Sequence, residues 1–175
     1  MAEQAPEPGG PGAAVPRTGA VVVASTRAAR GTYADETGPL LVEGLRALGL
    51  AVDDAVVVED GEPVGRALRA ALGRGAAVVV TTGGTGLTPR DLTPEQTAPL
   101  LDRELPGLAE ALRARGRDKG VPTASLSRGL AGTAGTALVV NLPGSPGACR
   151  DGLEVLAEVL PHALDQVAGG DHPRP

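Results

Sequence analysis

The stretch AAVVVTTGGTGLTPRDLTPE, residues 76–95, changes character twice. It begins as a β-branched run, AAVVVT (76–81), of the kind found in a strand buried on both faces. It then becomes a loop holding Gly83, Gly84 and Gly86. From residue 93 it turns helical over 93–101: Thr93 can cap a helix, Pro94 suits a first turn, and Glu95 puts negative charge at the positive end of the helix dipole. A strand feeding a glycine loop and then a helix is part of a crossover connection.

The flanking sequence repeats that pattern. GAVVVAS (19–25), VDDAVVVE (52–59) and TALVVNL (136–142) read as further strands. Helical spacing runs through 34–48, with Leu40, Leu41, Leu45 and Leu48, and through 63–72, 105–116 and 146–167. Pro161 is expected to bend the last helix or break it in two. Alternating strands and helices predict an α/β fold, three layers with a mostly parallel central sheet. The domain is expected over 18–169. Residues 1–17, rich in Pro, Gly and Ala, read as a disordered tail, and 170–175 as a C-terminal tail.

Composition narrows the functional classes. Of 175 residues 42% are apolar, and one is aromatic, Tyr33, so the core must be aliphatic. A net charge of −5 and the lack of aromatic platforms argue against a nucleic-acid partner. No run approaches the ~20 apolar residues of a membrane span. The N-terminus lacks a basic start followed by an apolar stretch, so the expected compartment is the cytoplasm. Cys149 is the single cysteine and reads as a small buried residue. His162 and His172 stand in no catalytic or zinc-binding pattern.

In parallel sheets, ligands lie beyond the carboxyl ends of the strands. Four loops fall there: 25–33, 59–63, 82–92 and 143–146. In the third of these, glycines let a ligand approach the backbone, and successive N–H groups can cradle an anion. Gly83, Gly84 and Gly86 would do so, with the Thr82 and Thr85 hydroxyls as extra donors; the same residues also suit a tight strand-to-helix turn. Asp91 beside a phosphate calls for a cation between them, and magnesium takes one or two carboxylates plus phosphate oxygens and water. Asp60, following the neighbouring strand, is placed to join Asp91 in a metal clamp. Arg90 can pair with a phosphate oxygen, or with Asp91 as a surface pair. Ser127, Ser145 and the Gly144 backbone can donate to a phosphate or heterocycle, and Arg128 can neutralise one, or these glycine-rich segments are flexible connections. Ser25, with Arg27 and Arg30, follows the first strand.

GGTGLTPRDLTPE closely resembles the signature of the MoaB/Mog-type molybdopterin-binding domain. RGTYADETGPLL, ELPGLAEALR, LSRGLAG and NLPGSPGA match in the family's order over about residues 20–167. The resemblance implies a MoaB/Mog-like α/β fold and molybdenum cofactor biosynthesis. The implied activity is adenylyl transfer from ATP, with Mg²⁺, to the terminal phosphate of molybdopterin, releasing pyrophosphate. A non-catalytic pterin-binding or protein-interaction paralogue is the alternative. The resemblance places the essential acidic pair on Asp60 and Asp91. It places substrate-binding loops on Gly83 to Gly86, on Ser127 and Arg128, and on Asn141, Pro143, Gly144 and Ser145. It also implies a homo-oligomer, trimer or hexamer, and other molybdenum cofactor biosynthesis proteins as partners. The near absence of aromatics leaves pterin recognition to hydrogen bonds and aliphatic contacts.

Overall fold

The computed structural model describes residues 16–170. The tails expected at 1–17 and 170–175 fall almost wholly outside these residues, as does His172. Seven strands form one sheet: β1 (Thr18–Ala24), β2 (Ala51–Val52), β3 (Val56–Val58), β4 (Val78–Thr82), β5 (Arg103–Glu104), β6 (Ala131–Ala134) and β7 (Ala137–Leu142). Their order is β2-β1-β4-β7-β6-β5, with β3 also paired to β1. Strands β1 to β4 and β7 run parallel, while β6 is antiparallel to β7 and β5 is antiparallel to β6.

The period-two pleat sends alternate valines to opposite faces. Val21, Val23, Val78, Val80, Leu138 and Val140 pack with Leu41, Val42 and Leu45 of α2 (Thr37–Ala47) and with Leu156, Leu160 and Leu164 of α6 (Pro146–Val167). Partly buried leucines of α5 (Pro106–Asp118) join that layer. On the other face Val22, Val79 and Val139 meet Val64, Leu68 and Ala71 of α3 (Glu62–Gly73). The expected three layers result, with a sheet of valines between leucine-bearing helices. Each fully buried aliphatic side chain contributes about 1.5–3 kcal/mol.

Several local expectations are corrected. The strand read over 52–59 is two strands. Thr18 pairs with Ala51 and Val22 with Val56, so the edge spends one residue more than β1 over the same span. Asp53 and Asp54 are exposed there; the outward kink keeps both carboxylates in water. The segment 127–135, read as loop, contains β6, and the short β5 pairs with it. Two further short elements follow no expectation: α1 (Thr26–Ala29) and a 3₁₀ turn at Pro122–Leu126. The helix expected over 93–101 is α4 (Thr93–Thr97) closed by a 3₁₀ turn at Ala98–Leu100. Its N-cap is Leu92, and Thr93 is buried with its hydroxyl donating to the Gly83 carbonyl at 2.9 Å. Pro161 does not break α6, which runs unbroken through it. Pro161 and Ala157 lie on the exposed face, where water can satisfy the carbonyl that proline leaves without a partner.

Asn141 in β7 joins β4, α4 and the segment leading into β6. Its Nδ2 donates to the hydroxyls of Thr81 and Thr97, both at 3.0 Å, and its Oδ1 accepts from the Leu130 N–H at 3.1 Å. All three side chains are essentially inaccessible to solvent. A buried polar group left without its partner costs about 1–3 kcal/mol. Asn141→Leu, similar in size, should therefore lower unfolding free energy by about 3 kcal/mol. Urea denaturation checks this, and an unchanged midpoint would show that the hub carries no stability.

Candidate functional site

All four sequence-marked loops open into one cleft at the carboxyl edge of the parallel strands, with a volume of about 1490 Å³. Sites for single drug-sized ligands run to ~300–1,000 Å³, so the cleft has room for two substrates side by side. Ser127 and Gly129 reach the same edge because β6 runs antiparallel: its start lies beside the end of β7, with Asn141 N–H donating to the Leu130 carbonyl at 2.8 Å.

The glycine loop is built by backbone packed on backbone. Gly83 has φ +89°, and a Cβ there would stand 2.3 Å from the Ala24 carbonyl oxygen at the end of β1. Gly84 has φ +65°, and its Cβ would stand 2.3 Å from the Thr93 hydroxyl. Only glycine fits these positions, because both conformation and space exclude a side chain.

The two candidate carboxylates flank this loop. A Cβ on Gly84 would lie 3.2 Å from Asp60 Oδ1, and one on Gly86 would lie 2.9 Å from Asp91 Oδ2. Asp60 is held by Thr26, whose N–H and hydroxyl donate to Oδ2 at 3.1 and 2.7 Å, while the Asp60 N–H donates back to the Thr26 hydroxyl. Asp91 Oδ2 accepts the Thr88 N–H at 2.9 Å, a local turn that folds its carboxyl back over the loop. Arg90 is exposed on the cleft. Among the described residues it has no ion-pair partner, so the Arg90–Asp91 surface pair does not form. Also among the described residues, no three His, Cys, Asp or Glu side chains gather into a metal cage.

Other expected contacts are spent elsewhere. Thr82 was expected to offer its hydroxyl to a ligand; it is buried and donates to the Pro143 carbonyl at 3.0 Å, against Cys149. Burial holds the Cys149 thiol above its usual pKa, as suits a packing residue. Arg128 was expected to neutralise a phosphate. Instead its guanidinium donates to the Gly86 carbonyl at 2.8 Å, to the Asp91 carbonyl and to the Glu95 carboxylate, clamping the glycine loop from outside the cleft. Arg128 in turn holds the Glu95 carboxyl below its usual range through that hydrogen bond. Asn141 lies at the cleft floor with its amide committed to the hub above. The Ser127 hydroxyl donates to Thr85 Oγ1 at 3.3 Å. The Ser25 and Ser145 hydroxyls cap α1 and α6, accepting from Ala28 and Ala148 N–H groups, both at 3.2 Å. The start of the 22-residue α6 therefore faces the cleft beside Pro143 and Gly144. Thr26, Tyr33 and Asp35 also line it. Sequence reading gave them no role, although loop 25–33 holds Thr26 and Tyr33 and the RGTYADETGPLL match holds Tyr33 and Asp35.

Comparison with known proteins shows the family. The family described as "Probable molybdopterin binding domain" matches residues 20–162. The chain belongs to this family. The Mog molybdopterin biosynthesis protein of Mycobacterium ulcerans superposes with a TM-score of 0.82 at 53% identity, over 86% of this chain and 99% of that one. A molybdenum cofactor biosynthesis bifunctional protein of Chlorobaculum tepidum is 44% identical over 90% of this chain and 50% of its own length. The molybdopterin adenylyltransferase of Pyrococcus furiosus is 39% identical over 82% of this chain and 87% of its own. The chain thus spans about half the length of the bifunctional relatives it matches.

For this molybdopterin-binding domain the glycine loop gives a direct expectation. Gly84→Val should disrupt molybdopterin binding measured by equilibrium dialysis, since Val at positive φ collides with Thr93. Binding equal to the parent's would reduce the loop to a connector.

Proposed function

We propose that this protein transfers the adenylyl group of ATP to the terminal phosphate of molybdopterin and releases pyrophosphate. The carrying observation is that Asp60 and Asp91, from two separate loops, lie against Gly84 and Gly86 of one loop. Adenylyl transfer needs two phosphates brought together and their charge offset, which positioning and electrostatics can supply. An oxygen of the molybdopterin phosphate attacks the α-phosphorus. The bond from that phosphorus to the bridging oxygen breaks, and pyrophosphate leaves with the electron pair.

The donor set fits a magnesium ion. Thr26 occupies Oδ2 of Asp60 and leaves Oδ1 turned to the loop, and Asp91 adds a second hard oxygen ligand. Asp60 and Asp91 would hold the ion, which when bound offsets phosphate charge and draws on pyrophosphate as a leaving group. The N–H groups of Gly84, Thr85 and Gly86 cradle one phosphate, whereas the Gly83 N–H, expected to join them, is held by the Leu142 carbonyl at 3.0 Å. The start of α6, at Gly144 and Ser145, presents unpaired N–H groups and positive dipole to the other. Arg90 is a cation on the cleft wall available to a phosphate oxygen. Thr85, Ser127, Ser25 and Pro143 line the cleft, and Arg128, Thr82 and Asn141 act by holding the loops.

The reading extends to a cytoplasmic homo-oligomer, trimer or hexamer, meeting other molybdenum cofactor biosynthesis proteins. The family resemblance supports it, and so do Leu87 and Leu126, exposed at the cleft rim where a second copy can cover them. No described helix is long and apolar enough to cross a membrane.

Asp60→Asn and Asp91→Asn should fold normally and each lower adenylylation of molybdopterin on the order of a hundredfold. Mn²⁺ binding read by electron paramagnetic resonance should weaken in parallel, with molybdopterin binding little changed. Near-parental turnover in both variants would sink the metal clamp.

A further inference from the structure

Tyr33 is the only aromatic residue of the chain, and it lies on the cleft. It is fixed at two points. Its hydroxyl lies 3.2 Å from Ser25 Oγ, and the Arg27 guanidinium sits over the ring, 5.2 Å from the centroid. A cation over the ring covers one face and holds its orientation. The residue remains 47% exposed, although burying an aromatic surface is favourable and the leucine layers lie nearby. Phenols left half bare in a concave site, yet pinned at the hydroxyl and at one face, have one open surface to offer. No other aromatic ring lines the cleft.

We propose that Tyr33, backed by Arg27, is the stacking platform for a planar nitrogen heterocycle in the cleft, and so sets specificity for the ring rather than for the phosphate. The inference rests on the adenylyl-transfer reading. That reading brings two such rings, the adenine of the nucleotide and the pterin, and either has the π-face the platform accepts. Stacking on Tyr33 complements the phosphate cradle of the glycine loop in the same cleft. It departs from the expectation of recognition by hydrogen bonds and aliphatic contacts alone.

The lack of any tryptophan makes the test direct, because tyrosine emission reports this one position. ATP, neopterin and inorganic tripolyphosphate are titrated against the full chain, its Tyr33→Leu variant and its Tyr33→Phe variant, with affinities taken by equilibrium dialysis. Stacking on a side chain contributes roughly tenfold or more to affinity per ring. Tyr33→Leu should therefore lose about tenfold toward ATP or neopterin and nothing toward tripolyphosphate. Tyr33→Phe should keep most of the affinity, and whichever heterocycle changes the parent's tyrosine emission is the ring on the platform. Parental affinity of Tyr33→Leu for both heterocycles would overturn the proposal, as would an equal loss toward tripolyphosphate, which indicates a disturbed loop. A parent chain that binds tripolyphosphate but neither heterocycle would overturn the platform together with the adenylyl-transfer reading. A parent that binds ATP without adenylylating molybdopterin removes that reading and leaves the platform standing.

Discussion

Three backbones meet at Gly83. Its N–H donates to the Leu142 carbonyl at 3.0 Å at the end of β7. Its Cα faces the Ala24 carbonyl at the end of β1, and a Cβ on Gly144 would come within 3.1 Å of it. No side chain fits among them, so the ends of β1, β4 and β7 can close only around a glycine. This closeness draws the loops after three adjacent strands into one place. Thr93 then ties the glycine loop to α4 through the Gly83 carbonyl, and the Thr93 N–H returns to the Gly84 carbonyl at 3.0 Å. Asp60 and Asp91 lie beside this loop, at Gly84 and Gly86.

Charge works at the site through orientation. The exposed pairs Arg30–Glu59, Arg128–Glu95 and Arg115–Glu154 lie in solvent, where such pairs contribute about 0–1 kcal/mol. Arg128 matters for where it points its donors. The Glu95 carboxyl it pairs with titrates below its ordinary range. The pair's contribution is therefore present at neutral pH and is lost only as acid protonates Glu95 below that range. Arg30 holds Glu59 down in the same sense, next to Asp60.

The parallel core was legible because valine runs and leucine periodicity are strong signals, and loop positions follow from strand direction. Asp60, Asp91 and the glycines were legible for the same reason. What escaped is of another kind. β6 is AGTA, small residues without alternation, and Gly132 is there because a Cβ would stand 2.5 Å from the Arg103 carbonyl of β5. That is a tertiary constraint with no local periodicity. The kink at Asp53–Asp54 depends on the register against β1. Thr82, Thr93 and Arg128 have the chemistry of ligand-binding residues but were used for structure, and only the partner atoms reveal it. Tyr33 went the other way: a lone aromatic suggested that stacking was unavailable, and the structure puts that aromatic on the cleft wall.

The account stands on one claim, that the cleft joins the α-phosphorus of ATP to a phosphate of molybdopterin. ATP labelled on the α-phosphate, or separately on the γ-phosphate, tests it with the purified chain, molybdopterin and magnesium. The account predicts that α-label enters the molybdopterin product while γ-label is released as pyrophosphate. Transfer of γ-label to molybdopterin, or release of γ-label as inorganic phosphate with no label in the product, would contradict it.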